Sequence, residues 1–130
     1  MSMSDYIKTE DFKKEKHVPV IDAPASAKAG EFFDVHVSVG KDIPHPNTTE
    51  HFIANIVLYY KPEGAGPVYQ LGKADFTVHG ESVAGANQGP AYTDPHATFK
   101  VKLSQPGTLT ALSYCNIHGL WESSVKIDVK

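Results

Sequence analysis

Phe33, Val35, Val37 and Val39 alternate with Asp34, His36 and Ser38, the period-two signature of a strand that buries one face. Six further stretches are rich in β-branched and aromatic residues: Phe52 to Tyr60, Val68 to Leu71, Ala74 to His79, Ala97 to Leu103, Thr108 to Tyr114 and Ser123 to Val129. Turn-formers separate them, in Lys61-Pro62-Glu63-Gly64, Gly85-Ala86-Asn87-Gln88-Gly89-Pro90 and Gln105-Pro106-Gly107. No long stretch carries helical periodicity. About seven short strands with turns between them predict an all-β chain and favour an immunoglobulin-like β-sandwich of about seven antiparallel strands, a barrel being the alternative that the pattern leaves open. With no repeat, low-complexity tract or linker, residues 1–130 read as one domain.

Composition narrows the function classes. A chain of 130 residues, 41% hydrophobic and 21% charged, is that of an ordinary globular protein with a real core. A net charge of −3 gives no basic surplus of the kind nucleic-acid binding favours. No apolar run approaches the ~20 residues of a membrane helix. Met1 to Glu10 is polar and lacks the apolar stretch of a secretion signal, and a single cysteine suits a reducing compartment. The expected location is the cytoplasm, so the glycosylation pattern Asn47-Thr48-Thr49 carries little weight.

The candidate chemistry lies in three clusters. Cys115 and His118 share the run Ser113-Tyr114-Cys115-Asn116-Ile117-His118-Gly119-Leu120-Trp121, where a tight turn can bring thiolate and imidazole to one ion. His17 sits in Glu15-Lys16-His17-Val18-Pro19, and His45 and His51 in His45-Pro46-Asn47-Thr48-Thr49-Glu50-His51. Four imidazoles and one thiolate are one ligand too many for tetrahedral zinc. Blue copper takes two His, one Cys and a weak axial group, usually Met, and the only methionines here are Met1 and Met3. Four nitrogens and one sulfur suit a square-pyramidal iron with one open position. The alternative is a cupredoxin-like electron-transfer protein, which leaves two histidines unused.

Local sequence favours the geometry. Pro44 and Pro46 stiffen the chain around His45. Asn47 followed by Glu50 has the look of a helix cap with its partner, which predicts one helical turn before His51. Amides just after Cys115 are placed to point back at its sulfur. Taken singly, each residue has a plainer reading: His36, His79 and His96 as surface or satisfied core histidines, Lys13 and Lys14 as solvated charge, Cys115 as a small buried hydrophobe. Three clusters together, in a chain with one cysteine, outweigh it.

In order and spacing, from about Phe12 onward, these stretches resemble the one-iron superoxide reductases, also called neelaredoxins, relatives of the desulfoferrodoxin iron-binding domain. The resemblance implies a mononuclear iron, one per chain and cycling between Fe2+ and Fe3+, with His17, His45, His51 and His118 as equatorial nitrogens and Cys115 as axial sulfur. It gives Glu15 the sixth position of oxidised iron and makes Lys16 the cation beside the open face. The implied reaction is one-electron reduction of superoxide to hydrogen peroxide, with an external donor such as rubredoxin restoring the ferrous state. It further implies a homotetramer. Phe12 and Phe52 depart from residues common in the family, at positions that are not ligands.

Overall fold

A computed structural model covering residues 1–130 contains eight strands: β1 (Pro19–Asp22), β2 (Ser26–Ala27), β3 (Phe32–Val39), β4 (Ile53–Pro62), β5 (Tyr69–Asp75), β6 (His96–Lys102), β7 (Gly107–Cys115) and β8 (Gly119–Val129). They form two sheets, in order β1-β3-β6 and β2-β8-β7-β4-β5. The immunoglobulin-like sandwich expected from the alternation is therefore present. A 3-10 turn at Met3–Asp5 is the only helical element.

Alternation builds the core. Val35, Val37 and Val39 face inward from β3, Ile56, Leu58 and Tyr60 from β4, and Leu109, Ala111 and Cys115 from β7. Burying each large side chain stabilises the fold by about 1.5–3 kcal/mol. The two sheets thus share one apolar interior, and Cys115 is part of it.

Three local details differ from the sequence reading. The expected strands Val68 to Leu71 and Ala74 to His79 are one strand, β5, ending at Asp75. Gly72 does not interrupt it; a side chain there would collide with the Phe99 ring, 2.6 Å from an added Cβ. Beyond β5, the Phe76 amide donates to the Ala54 carbonyl (2.8 Å) and His79 forms an isolated bridge with Tyr92. Two short strands, β1 and β2, escaped the pattern because four and two residues are too few to show alternation. β2 runs parallel to β8, the one parallel pairing between the named strands.

Register then places one end of the sandwich. Cys115, the last residue of β7, pairs with Gly119 at the start of β8 and with Ile53 at the start of β4. Gly119 has φ 80°, a left-handed conformation that lets the hairpin close in the space of Asn116 to His118.

Candidate metal centre

The two cross-strand pairs of Cys115 explain the site. The β7–β8 turn carries His118 back toward Cys115, while the Ile53 pairing draws the residues just before β4, including His51, to the same point. His17 arrives on the segment leading into β1, where its carbonyl accepts a hydrogen bond from the buried Ser113 hydroxyl (3.0 Å). Trp121 of β8 stacks on the His17 ring at 5.1 Å and 14°.

Four imidazoles consequently stand in a ring. Adjacent centroids are 4.8 Å apart for His17–His45, 4.8 Å for His45–His51, 5.0 Å for His51–His118 and 4.5 Å for His118–His17, while the diagonal His17–His51 is 6.3 Å. That is a four-cornered arrangement, as a tetragonal metal site requires. His118 Nδ1 lies 3.0 Å from His17 Nε2 and 3.3 Å from His51 Nε2. Two nitrogens at right angles on one ion, each about 2.1 Å from it, are separated by about 3.0 Å. Cys115 Sγ lies 3.2 Å from His51 Nε2 and 3.8 Å from His118 Nδ1. The donor atoms of His17, His45, His51 and Cys115 all fall within 4.8 Å of one another.

Protonation decides what this cluster can hold. His45 Nδ1 donates to the Pro46 carbonyl at 2.6 Å, which leaves Nε2 as a lone pair. That Nε2 is buried and has no hydrogen-bond partner. His17 Nδ1 is likewise occupied by the Glu15 carboxylate at 2.6 Å, turning its Nε2 lone pair inward. Burial, followed by the nearby charges of His17, His51 and Lys16, brings His45 down to about 4, against the pull of the Pro46 carbonyl. Burial also lowers His51, with His118, His17 and Lys16 adding to it. Acceptor nitrogens converging beside a buried thiol, one of them, His45 Nε2, buried without a partner, are what a cation satisfies, so the residues present fit a metal ion.

The sulfur is tuned from its own turn. The His118 amide points at Cys115 Sγ from 3.4 Å, as expected of the amides that follow the cysteine. Cys115 is fully buried and His118 exposed, so the site lies at the boundary between core and solvent.

Glu15 and Lys16 occupy different places around this ring. The Glu15 carboxylate accepts from the His17 amide (3.0 Å) as well as from its ring, and so sits outside the converging donors. Burial would raise Glu15, but the hydrogen bonds and charge of His17 outweigh it and hold the carboxyl below its usual range. Lys16 forms none of the ion pairs of the molecule, and its charge acts on His45 and His51.

Other expectations fare unevenly. No helical turn precedes His51; Thr48 closes that loop instead, accepting from the His51 amide at 3.1 Å, while Asn47 donates to the Thr93 carbonyl at 3.0 Å. His36 and His96 are exposed surface residues, His36 bonded to Thr98 at 2.7 Å. His79 is buried but not satisfied: it stacks on Phe52 at 3.8 Å with neither ring nitrogen hydrogen-bonded, the Glu81 carboxylate standing 3.6 Å from Nδ1. Asn116, inside the cysteine motif, was not singled out by sequence. It accepts from the Phe52 amide (2.9 Å) and donates to the Glu50 carbonyl (2.9 Å), tying hairpin to loop. Four imidazoles beside one cysteine also leave the two-histidine copper reading without support.

Fold and site together define a β-sandwich protein with a candidate metal centre in which His17, His45, His51 and Cys115 converge, with the His118 ring alongside. Comparison with known proteins makes this specific. The Desulfoferrodoxin family model matches residues 9–124, and the chain belongs to that family. It is 59% identical to a putative superoxide reductase of Thermotoga maritima, over 100% of this chain and 99% of the relative. It is 52% identical to the neelaredoxin of Megalodesulfovibrio gigas, over 100% of both. The crystal structure of the Thermotoga maritima protein superposes with a TM-score of 0.97, covering 100% of this chain and 98% of that one. A superoxide reductase crystallised in the oxidised state, 54% identical, gives 0.88 over 98% of this chain and 100% of that one.

Proposed function

We propose that the chain is a superoxide reductase, a single domain over residues 1–130 that reduces superoxide to hydrogen peroxide without releasing oxygen. The observation that carries this reading is the ring of four imidazoles closed around a buried thiol. His17, His45, His51, His118 and Cys115 would hold one iron ion per chain. When bound, that iron supplies the single electron, cycling between Fe2+ and Fe3+.

The remaining residues bind, orient and neutralise. Lys16 adds a cation beside the ring, drawing a small anion to an acidic protein. Glu15 holds the His17 tautomer that keeps Nε2 a lone pair, and the family resemblance gives it a second task, as a ligand that the oxidised metal would take. The buried Cys115 sulfur, with the His118 amide aimed at it, would donate electron density to the bound metal. Regeneration falls to an external donor such as rubredoxin, and assembly to a homotetramer. No helix is long and apolar enough to cross a membrane, and a cytoplasmic setting suits the free thiol.

Pulse radiolysis of the reduced, iron-loaded protein tests the function. The expected result is fast consumption of superoxide with one peroxide formed per superoxide and no oxygen. Oxygen and peroxide in equal amounts would mean dismutation and would overturn the reading.

A further inference from the structure

We infer that Asn87, on the exposed loop between β5 and β6, is a positioning residue that seats His51 in the donor set. The inference rests on the metal-centre reading above and adds to it a residue that lies far from every ligand in sequence.

Asn87 reaches the ligand loop through its whole amide. Its Oδ1 accepts from the Thr49 amide at 2.8 Å, and its own amide donates to the Thr49 hydroxyl at 3.0 Å. Its Nδ2 donates to both carboxylate oxygens of Glu50, each at 3.1 Å. The Thr49 hydroxyl passes the link on, donating to the His79 carbonyl at 3.2 Å. These are the two residues immediately before His51.

The backbone of Asn87 is specialised for this. Its φ of 61° makes it the one residue other than glycine in the left-handed region. Asparagine tolerates that conformation better than most residues. There it presents amide hydrogen, carbonyl oxygen and side-chain nitrogen in one direction.

The ligand loop needs such a partner. Residues 48–51 belong to no strand, so no sheet ladder fixes them. His51 Nε2 must nonetheless stay beside Cys115 Sγ, at 3.2 Å. Residues hydrogen-bonded directly to a metal ligand typically affect metal affinity by about 10- to 100-fold, and Asn87, acting one residue further out, falls at the lower end of that range. Residues 81–88 are all exposed, so deleting the Asn87 side chain opens no cavity in the core.

The test uses cobalt(II) as the probe, titrated into metal-free full-length protein and followed by the thiolate-to-metal absorption band. Asn87→Gly keeps the left-handed backbone and removes three of the four bonds. Asn87→Asp keeps the acceptor for Thr49 but sets a carboxylate against Glu50. Both should weaken cobalt binding about 10-fold or more and shift the band, while the thermal midpoint of the metal-free protein stays near that of the wild type. Val83→Ala, on the same loop and fully exposed, should change nothing. Unchanged affinity and spectrum in both variants would overturn the inference, as would a loss of affinity matched by a fall in the metal-free midpoint. A wild-type chain that bound no cobalt at the thiolate would instead overturn the metal-centre reading, and the inference with it.

Discussion

Four of the five candidate donors reach the centre by two different routes, and His17 arrives separately on the segment before β1. Cys115 and His118 belong to the β7–β8 hairpin, whose ladder and register determine where they stand. His45 and His51 belong to a loop without a ladder, held by side chains: Thr48, Asn47 and Asn116. A hairpin position follows from backbone hydrogen bonds that nearly any sequence can make. A loop position depends on particular side chains, each worth about 1 kcal/mol or somewhat more. The hairpin therefore supplies a rigid axis, and the loop supplies two corners that single substitutions can displace.

Cys115→Ser strikes the rigid half and should have the largest effect. The backbone is unchanged, yet the thiolate-to-iron absorption and the superoxide reductase activity should both disappear, as optical titration and pulse radiolysis would record. Retention of the band would place the sulfur outside the metal's coordination.

Asn116→Ala cuts the tie between the two halves. It removes the bonds to the Phe52 amide and the Glu50 carbonyl. Chemical denaturation should show a loss of about 1–2 kcal/mol, and iron affinity should fall while the thiolate band survives. Loss of the band at full iron occupancy would mean that the hairpin, too, depends on the loop.

Acid probes the loop through His45. His45 is held at about 4, from an ordinary 6.5, so the unfolded chain takes up its proton first. The metal-free protein should be fully stable with respect to this group above about pH 6.5. It should then weaken as pH falls toward 4, by on the order of 1–2 kcal/mol, solvent screening at the half-buried ring being allowed for. His45→Gln, compared by denaturation at several pH values, should flatten that decline.

Lys16→Ala should have the smallest effect, because it touches neither half's geometry. Superoxide capture should slow by about 3- to 10-fold and lose part of its salt dependence. An unchanged second-order rate at low salt would remove Lys16 from steering.

The same contrast explains what was legible in the sequence. Alternation in β3 and the apolar runs of β4 and β7 announced the sandwich, because burial of one face imposes a period of two. The hairpin half of the site was equally plain, since Cys-x-x-His fits within one turn. The loop was read in part. His45 and His51 stood out by residue type, but the capped helical turn proposed for Asn47 does not form, because Asn47 is drawn to Thr93 and Thr48 closes the loop. Contacts made across long separations, such as Trp121 on His17 and Asn116 on Glu50, leave no local pattern to read. Glu15 lay in a legible motif, yet its bond to the outer nitrogen of His17 depends on a side-chain conformation that no spacing reveals.

The central claim is that hairpin and loop converge on a single ion. X-ray absorption at the iron edge of the fully loaded protein tests it most directly. The account predicts one iron per chain with four nitrogen neighbours and one sulfur neighbour, the sulfur being lost in Cys115→Ser. A shell of two nitrogens and one sulfur, or one with no sulfur, would contradict it.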